Sequence, residues 1–266
     1  MVFDEFLKEV APLFGLQRRP FQRKGVKRKV ERRIIEVGLS HFDEYLLKVQ
    51  KDPEERSYFS KILTVTISRF FRDNTVFHLL ETSIIPEIIK KQSDELKIWS
   101  IGCANGEEPY SFSLLWKEKF EKVYPSLPLS ILATDIDAKM IERAKEGRYR
   151  KSTLKEVPEE IIQKYFRIEN GFFVLDGAIR EGVAFKKHDI IHEAPFSGMD
   201  IIFCRNLAFT YFSKECQIDV LKKIYPSLNG KGYLIIGKDE SLPLTYPALF
   251  VPIFPTERIY QKFNPK

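Results

Sequence analysis

The chain has 266 residues, of which 44% are hydrophobic and 30% are charged. This length allows one large domain, or a small and a medium one, with a substantial apolar core. No apolar run reaches the roughly 18 residues that a membrane span requires, and the first residues lack the pattern of a secretory signal. The three cysteines are far apart in sequence, which argues against a disulfide framework or a zinc site. We therefore expect a cytoplasmic protein that holds no metal.

The net charge of +6 is concentrated in one segment. Residues 17–33 contain nine basic residues and one acidic residue, a charge of +8 that leaves −2 for the remainder. Within this segment Val26, Val30 and Ile34 recur at every fourth position, which predicts an amphipathic helix with a positive outer side. Helical spacing also appears over 3–14, 42–51 and 54–63, so the sequence predicts a small N-terminal helical bundle.

Strands and helices alternate in the second part of the chain. Four apolar runs with the character of buried strands occur at 98–101, 129–134, 199–204 and 233–236. Two further runs, 248–254 and 257–263, are placed to form a hairpin. This alternation predicts an α/β fold with a mostly parallel sheet and an antiparallel edge.

A small-residue turn, Gly102-x-Ala104-x-Gly106, follows the first of these strands. In a doubly wound sheet such a turn places a ligand above the carboxyl end of the strand. The acidic start of the next helix, which includes Glu108, suits an ammonium group better than a pyrophosphate. Asp135 ends the following strand, where a carboxylate can bind ribose hydroxyls. The combination fits S-adenosylmethionine, although an ordinary strand-to-helix turn is the alternative.

Four motifs then make a specific family resemblance. They are Phe70-Phe71-Arg72-Asp73, Gly106-Glu107-Glu108-Pro109-Tyr110-Ser111, Asp135-Ile136-Asp137 and Phe203-Cys204-Arg205-Asn206. Their order resembles that of the CheR-type chemotaxis receptor methyltransferases, over nearly the whole chain. The resemblance implies a Rossmann-like class I methyltransferase sheet at 74–266, with a short β-subdomain near 166–185, behind a small all-helical domain at 1–73. It also implies methyl transfer from S-adenosylmethionine to the γ-carboxylate of receptor glutamates, which leaves S-adenosylhomocysteine.

The resemblance also implies roles for individual residues. Arg72, Arg205 and Tyr211 are expected to be catalytic. Glu108 is expected to bind the methionine end of the cofactor and Asp135 the ribose. The full set of expected cofactor-binding residues is Thr66, Ser68, Arg72, Gly102, Glu108, Asp135, Asp189, Ile190, Arg205 and Asn206.

Two departures from the family pattern concern the handling of the acceptor. In the family a tyrosine follows the asparagine of the CRN element after three residues, whereas here four residues separate Asn206 from Tyr211. Either a bulge at 207–210 returns Tyr211 to the tyrosine position, which we favour, or Thr210 has replaced it. The family element Gly-His-Ser-Glu is Gly237-Lys238-Asp239-Glu240 here, so its histidine is missing.

The basic helix is predicted to dock an acidic helical region of a membrane chemoreceptor or a related signalling protein. The residues expected to bind this partner are Lys24, Lys27, Arg28 and Arg32. A solvated face or an RNA-binding surface is the alternative, but the segment has few aromatic residues, and we expect no nucleic acid. We also expect a monomer that does not insert into a membrane.

Two other functions stay open at this point. One is a CheR-like module that binds the cofactor or its product and regulates a partner without transferring a methyl group. The other is a methyltransferase with a different acceptor.

Overall fold

The computed structural model describes residues 1–22, 24–63, 68–91, 94–243 and 249–263. An N-terminal helical bundle precedes a sheet with helices on both faces. The helices in the described ranges are α1 (Phe3–Val10), α2 (Lys24–Glu36), α3 (Phe42–Lys51), α4 (Pro53–Leu63), α5 (Asn74–Leu79), α6 (Ile85–Lys90), α7 (Glu107–Lys119), α8 (Ala138–Glu146), α9 (Glu159–Tyr165), α10 (Gly177–Glu181), α11 (Ala208–Tyr211) and α12 (Lys214–Ser227). None of them combines the length and the apolar character needed to cross a membrane.

The helical bundle has its own core. Val26, Val30 and Ile34 of α2 are buried, which confirms the predicted apolar stripe. They belong to one cluster with aromatic side chains of the other helices, including Phe6 and Phe59. Because the stripe is buried, the opposite face of α2, with Lys24, Lys27, Arg28 and Arg32, is left to solvent.

A seven-stranded sheet forms the second part of the molecule. Its strands are β1 (Leu96–Ile101), β2 (Leu129–Asp135), β6 (Val183–Lys187), β7 (Met199–Cys204), β8 (Leu228–Ile236), β9 (Phe250–Phe254) and β10 (Ile259–Lys262), in the spatial order β6-β2-β1-β7-β8-β10-β9. The first five strands in this order are parallel, while β10 is antiparallel to both β8 and β9. The predicted α/β fold with a terminal hairpin at an antiparallel edge is therefore confirmed.

Side chains of the central strands alternate between two cores, as strand geometry requires. On β1, Ile98 packs in one apolar cluster and Trp99 in the other. On β7, Ile201 and Ile202 divide in the same way. Burial on both faces explains why these strands are continuous apolar runs in the sequence.

A second, three-stranded sheet has the order β3-β5-β4. Its strands are β3 (Arg148–Tyr149), β4 (Phe166–Glu169) and β5 (Phe172–Leu175). The sequence prediction placed a β-subdomain near 166–185, but Val183–Lys187 pairs with β2 in the main sheet. The domain limits at 1–73 and 74–266 stay a prediction.

The helical bundle contacts the main sheet region through residues 15–17. The amide of Gln17 donates to the carbonyl of Tyr211 at 2.7 Å, and the amide of Ser213 donates to the carbonyl of Gly15 at 2.8 Å. The ring of Phe21 packs on that of Tyr211 with centroids 5.5 Å apart. The segment that follows β7 is thus held from the N-terminal side.

Candidate active site

The strand order reverses between β1 and β7, which is where ligands bind in open α/β sheets. The segments that follow these two strands meet residues 68–73, called here the connector, which lead into α5. Together they surround a cavity of about 500 Å³, its open mouth included. Six of the predicted site residues line this cavity: Ser68, Arg72, Gly102, Glu108, Arg205 and Asn206. Four residues that were not predicted also line it: Arg69, Phe77, Cys103 and Ala104.

The backbone around the cavity is strained. Seven non-glycine residues in the described ranges have positive φ, and four of them lie in these segments: Phe71, Asp73, Ala104 and Asn206. Each such conformation costs on the order of 1–3 kcal/mol and persists only where the surrounding structure holds it. Their concentration at one place is typical of a functional site. Gly102, at φ +72°, begins the turn after β1 without this cost.

Arg205 is at the centre of the polar network. Its guanidinium group is 3% exposed and lies 2.6 Å from Asp73 Oδ2 and 3.3 Å from Glu108 Oε2. It also donates to the carbonyl of Arg72 at 2.8 Å. Arg205 therefore joins the connector to the turn after β1. Its Nε is buried without a hydrogen-bond partner among the described residues.

Glu108 presents a carboxylate to the cavity from the first turn of α7. The hydroxyl of Ser100 donates to its Oε1 at 2.7 Å. Burial raises the pKa of Glu108, while the charges of Arg205 and Arg72 act in the opposite direction. A cationic ligand would further favour the ionised form, so this carboxylate suits an ammonium group.

Glu107 is a buried carboxyl group that was not among the predicted site residues. Its side chain is 1% exposed, and its Oε2 has no hydrogen-bond partner among the described residues. Burial raises the pKa of Glu107 to about 7, although Asn105 and Ser68 donate hydrogen bonds that lower it. The group therefore titrates near neutral pH beside the cavity.

Asp135 holds the turn after β1. Its Oδ2 accepts the amide of Ala104 at 3.0 Å, and its Oδ1 accepts the amide of Asp137 at 2.9 Å. Burial raises the pKa of Asp135, and these backbone donors oppose that shift. Each oxygen has a second lone pair, so the carboxylate can also accept ribose hydroxyls.

Asp189 and Ile190 follow β6 and lie outside the set of residues that line the cavity. The amide of His188 donates to the carbonyl of Asp135 at 3.0 Å, which places this loop beside the end of β2. Asp189 Oδ1 accepts the amide of Ile191 at 2.8 Å, and Ile190 is buried. Their predicted contacts with adenine stay a prediction.

The predicted bulge at 207–210 is absent. Residues 208–211 form one helical turn instead, in which the amide of Tyr211 donates to the carbonyl of Leu207 at 2.9 Å. This turn directs the Tyr211 ring onto Phe21, and Tyr211 is not among the described residues that line the cavity. Thr210 faces the strand ends, and its hydroxyl donates to Glu240 Oε1 at 2.6 Å.

Glu240 joins the ends of β7 and β8. Its Oε2 accepts the amide of Asn206 at 2.9 Å and that of Gly237 at 2.6 Å. It thereby holds Asn206 in its positive-φ conformation. Glu240 and Asp73 were not among the predicted site residues. Their positions within the motif elements quoted above were the signal that could have identified them.

The four predicted partner-binding residues are exposed on one side of α2: Lys24, Lys27, Arg28 and Arg32. Lys27 and Arg32 approach Glu31 and Glu36 at 3.6 Å and 3.5 Å, which are exposed pairs of small energetic value. Arg33, the next residue of α2, turns inward to Glu55. Thr66 lies outside the described residues.

The donor set fits S-adenosylmethionine. Carboxylates end or follow two adjacent strands, Glu108 after β1 and Asp135 on β2, and a small-residue turn lies between them. The first suits an ammonium group and the second a pair of hydroxyls. Arg205 is neutralised by two carboxylates, so it offers no site for a phosphate.

Comparison with known proteins agrees with this assignment. Residues 66–258 match the family model described as CheR methyltransferase, SAM binding domain, and residues 1–64 match CheR methyltransferase, all-alpha domain. A chemotaxis protein methyltransferase of Listeria innocua is 27% identical over 89% of this chain and 88% of its own. Chemotaxis protein methyltransferase 2 of Vibrio cholerae is 30% identical over 90% of this chain and 83% of its own.

An uncharacterised 104.1 kDa protein of Rhodobacter capsulatus is 28% identical over 90% of this chain, which spans only 25% of that protein. The family model covers most of the sheet region and the connector that carries Arg72. The resemblance seen in the sequence motifs is confirmed, and so is S-adenosylmethionine as the cofactor. The chain belongs to the CheR methyltransferase family of S-adenosylmethionine-dependent enzymes.

Proposed function

We propose that this chain methylates the γ-carboxylate of glutamates on a chemotaxis receptor or a related signalling protein. The observation that carries the proposal is the convergence of the connector, the turn after β1 and the end of β7 on one cavity. In the same proposal residues 1–73 dock the acceptor and residues 74–266 carry out the transfer.

The reaction requires little acid–base chemistry. The pKa of an exposed glutamate is near 4.3, so at neutral pH the nucleophile is already ionised and no general base is needed. A carboxylate oxygen forms a bond to the methyl carbon while the carbon–sulfur bond breaks and its electron pair stays on sulfur. The products are a neutral ester and a neutral thioether.

The residues of this chain bind and align the reactants. Glu108 would hold the ammonium group of the cofactor, and Asp135 its ribose hydroxyls. Asp189 and Ile190 would flank adenine. When bound, S-adenosylmethionine supplies a methyl group already activated by its sulfonium. Alignment in a site that excludes water accounts for the remaining acceleration.

The direct test uses labelled S-adenosylmethionine and a water-soluble cytoplasmic fragment of a bacterial chemoreceptor with unmethylated glutamates. We expect label in the fragment that mild alkali releases as methanol, because carboxyl methyl esters hydrolyse under these conditions. Replacement of the acceptor glutamates by glutamine should abolish the signal. Alkali-stable label would contradict the proposal and indicate another acceptor.

A second test addresses the docking surface. Reversal of charge in Arg28→Glu with Arg32→Glu should raise KM for the fragment about tenfold, since both side chains are exposed and steer an acidic partner. The matched control is Lys214→Glu with Lys222→Glu, the same change in net charge on the exposed side of α12. If both double variants behave alike, or the effect does not diminish with salt, α2 is only a solvated face.

One observation favours a second function. Tyr211 packs on Phe21 and is not among the described residues that line the cavity, whereas the catalytic prediction requires its hydroxyl there. A module that binds the cofactor or its product, and regulates a partner without transfer, would tolerate this. Calorimetric binding of S-adenosylhomocysteine without ester formation on any receptor fragment would favour that function.

A further inference from the structure

The acceptor carboxylate needs a cation that Arg205 does not supply. The Arg205 guanidinium is 3% exposed and already donates to Asp73, Glu108 and a backbone carbonyl. Its Nε has no partner among the described residues but is buried, so an incoming glutamate could reach the terminal nitrogens only by displacing one of these acceptors. Arg72 lines the cavity near Glu108, on whose pKa its charge acts.

Lys238 lies beside the same network on the solvent side. It follows β8, its side chain is 62% exposed, and its Nζ is 3.9 Å from Asp73 Oδ1. The other oxygen of Asp73 is 2.6 Å from Arg205. Asp73 therefore stands between a buried cation and an exposed one.

The backbone that carries Lys238 is fixed. The amide of the preceding residue, Gly237, donates to buried Glu240 at 2.6 Å, and the carbonyl of Lys238 accepts from Arg258 at 3.2 Å. The side chain itself is long and flexible, and an exposed pair at 3.9 Å holds it only weakly. The ammonium group can therefore leave Asp73 at little cost and reach toward the mouth of the cavity.

The charges around the cavity favour a cation at the position of Lys238. A glutamate entering the cavity approaches Asp73 and Glu108, which share the single cation Arg205, so one negative charge remains to repel the glutamate and to favour its protonated form. A nearby ammonium group opposes both effects. We propose that Lys238 binds the γ-carboxylate of the acceptor glutamate at the mouth of the site, exchanging Asp73 for the incoming carboxylate.

This inference rests on the proposed glutamate acceptor. It assigns the place of the missing family histidine to a lysine, which keeps its full charge at neutral pH. It also gives the recognition of the acceptor to a residue that the sequence showed only as a departure from the family pattern.

The test uses the full chain with Lys238→Ala, Lys238→Glu and Lys238→Arg, and Lys214→Ala as a control at another exposed lysine. We expect KM for the receptor fragment to rise about tenfold for Lys238→Ala and at least thirtyfold for Lys238→Glu, with Lys238→Arg within threefold of the unmodified chain. Calorimetric affinity for S-adenosylhomocysteine should stay within twofold throughout. Unchanged KM, or a parallel loss of cofactor affinity, overturns the proposal.

A binding measurement separates this inference from the proposed function. With S-adenosylhomocysteine present, the unmodified chain should bind the fragment with glutamate at its acceptor positions more tightly than the fragment with glutamine. Lys238→Ala should lose that preference. If the preference exists but no ester forms, only the methyltransferase proposal fails. If ester forms without a Lys238-dependent preference, only the role of Lys238 fails. Equal binding of the two fragments, or binding of neither, also overturns the role of Lys238.

Discussion

Arg33 in the helical bundle pairs with a buried carboxylate and Arg205 at the end of β7 with two half-buried ones, yet only the first of these networks is complete. Arg33 forms two hydrogen bonds to Glu55, at 2.9 Å and 2.7 Å, and Tyr45 donates to the same carboxylate at 2.7 Å. The ring of Tyr58 lies 3.8 Å from the Arg33 guanidinium carbon. Both oxygens of Glu55 thus have partners, as a structural ion pair requires.

The network around Arg205 is incomplete. Arg205 Nε and Glu107 Oε2 are buried without partners among the described residues, and the adjoining backbone contains four strained residues. Native proteins rarely leave buried polar atoms in this condition without a reason. The comparison indicates that one network stabilises a bundle, whereas the other is arranged for ligands that complete it.

The largest expected effect comes from breaking the complete network. Glu55→Ala should lower the free energy of unfolding by about 3 kcal/mol, because Arg33 and Tyr45 lose their common acceptor. We expect the lower end of the usual range since Arg33 is 23% exposed and water can solvate it. Denaturant titration measures the loss, and calorimetry at low temperature should find cofactor affinity unchanged. A weaker affinity would mean that the bundle and the cavity are coupled.

Asp135→Ala should mainly weaken cofactor binding and have a smaller effect on stability. It removes a carboxylate proposed to bind the ribose. The binding free energy of S-adenosylmethionine should therefore fall by about 1.5–3 kcal/mol, which is roughly a tenfold to hundredfold loss of affinity. The turn also loses an acceptor for the amide of Ala104, so a modest loss of stability is expected. Calorimetry on the folded variant is the measurement, and unchanged affinity would show that Asp135 does not bind the ribose.

The N-terminal stripe and the sheet could be predicted because local patterns report burial directly. Val26, Val30 and Ile34 recur with a helical period, and Ile98 to Ile101 form an apolar run buried on both faces. By contrast, β3 has only two residues, Arg148 and Tyr149, so its part in the second sheet depends on a distant partner strand and leaves no signal.

Within the site, side chains placed by a strand end could be predicted, whereas side chains oriented by contacts remote in sequence could not. Glu108 and Asp135 follow from their places after strands. The direction of Tyr211 does not, because it depends on the helical turn at 208–211 and on Phe21, which is remote in sequence. Arg33 turns inward for the same kind of reason, since its acceptor Glu55 lies on another helix.

The two networks should also respond oppositely to pH. Hydrogen bonding to Arg33 lowers the pKa of Glu55, so its contribution to stability is lost as pH falls through the acid range. Burial raises the pKa of Glu107 to about 7, so its contribution is lost as pH rises from about 4.5 toward 7.

Glu107→Gln isolates the second effect. Between pH 5 and pH 8 the unmodified chain should lose on the order of 1–2 kcal/mol more unfolding free energy than the variant. Denaturant titrations of both chains across this interval provide the difference, and Glu55→Gln supplies the comparison of opposite sign. Parallel pH profiles of the unmodified chain and Glu107→Gln would show that Glu107 is ionised throughout.

The smallest expected effect decides which side chain replaces the family tyrosine. Thr210→Val removes the hydroxyl that donates to Glu240 Oε1 while it keeps the shape of the side chain, and a lost hydrogen bond to a buried carboxylate is worth about 1 kcal/mol. Because Glu240 holds the amide of Asn206, the change should pass to the cavity and lower turnover about threefold to tenfold with little effect on cofactor affinity. Tyr211→Phe keeps the ring on Phe21 and should leave turnover within twofold. Both variants belong in the methyl-ester assay, with S-adenosylhomocysteine affinity measured beside it. The reverse ranking, a large loss for Tyr211→Phe and none for Thr210→Val, would restore Tyr211 to the reaction and require α11 to rearrange when the acceptor binds.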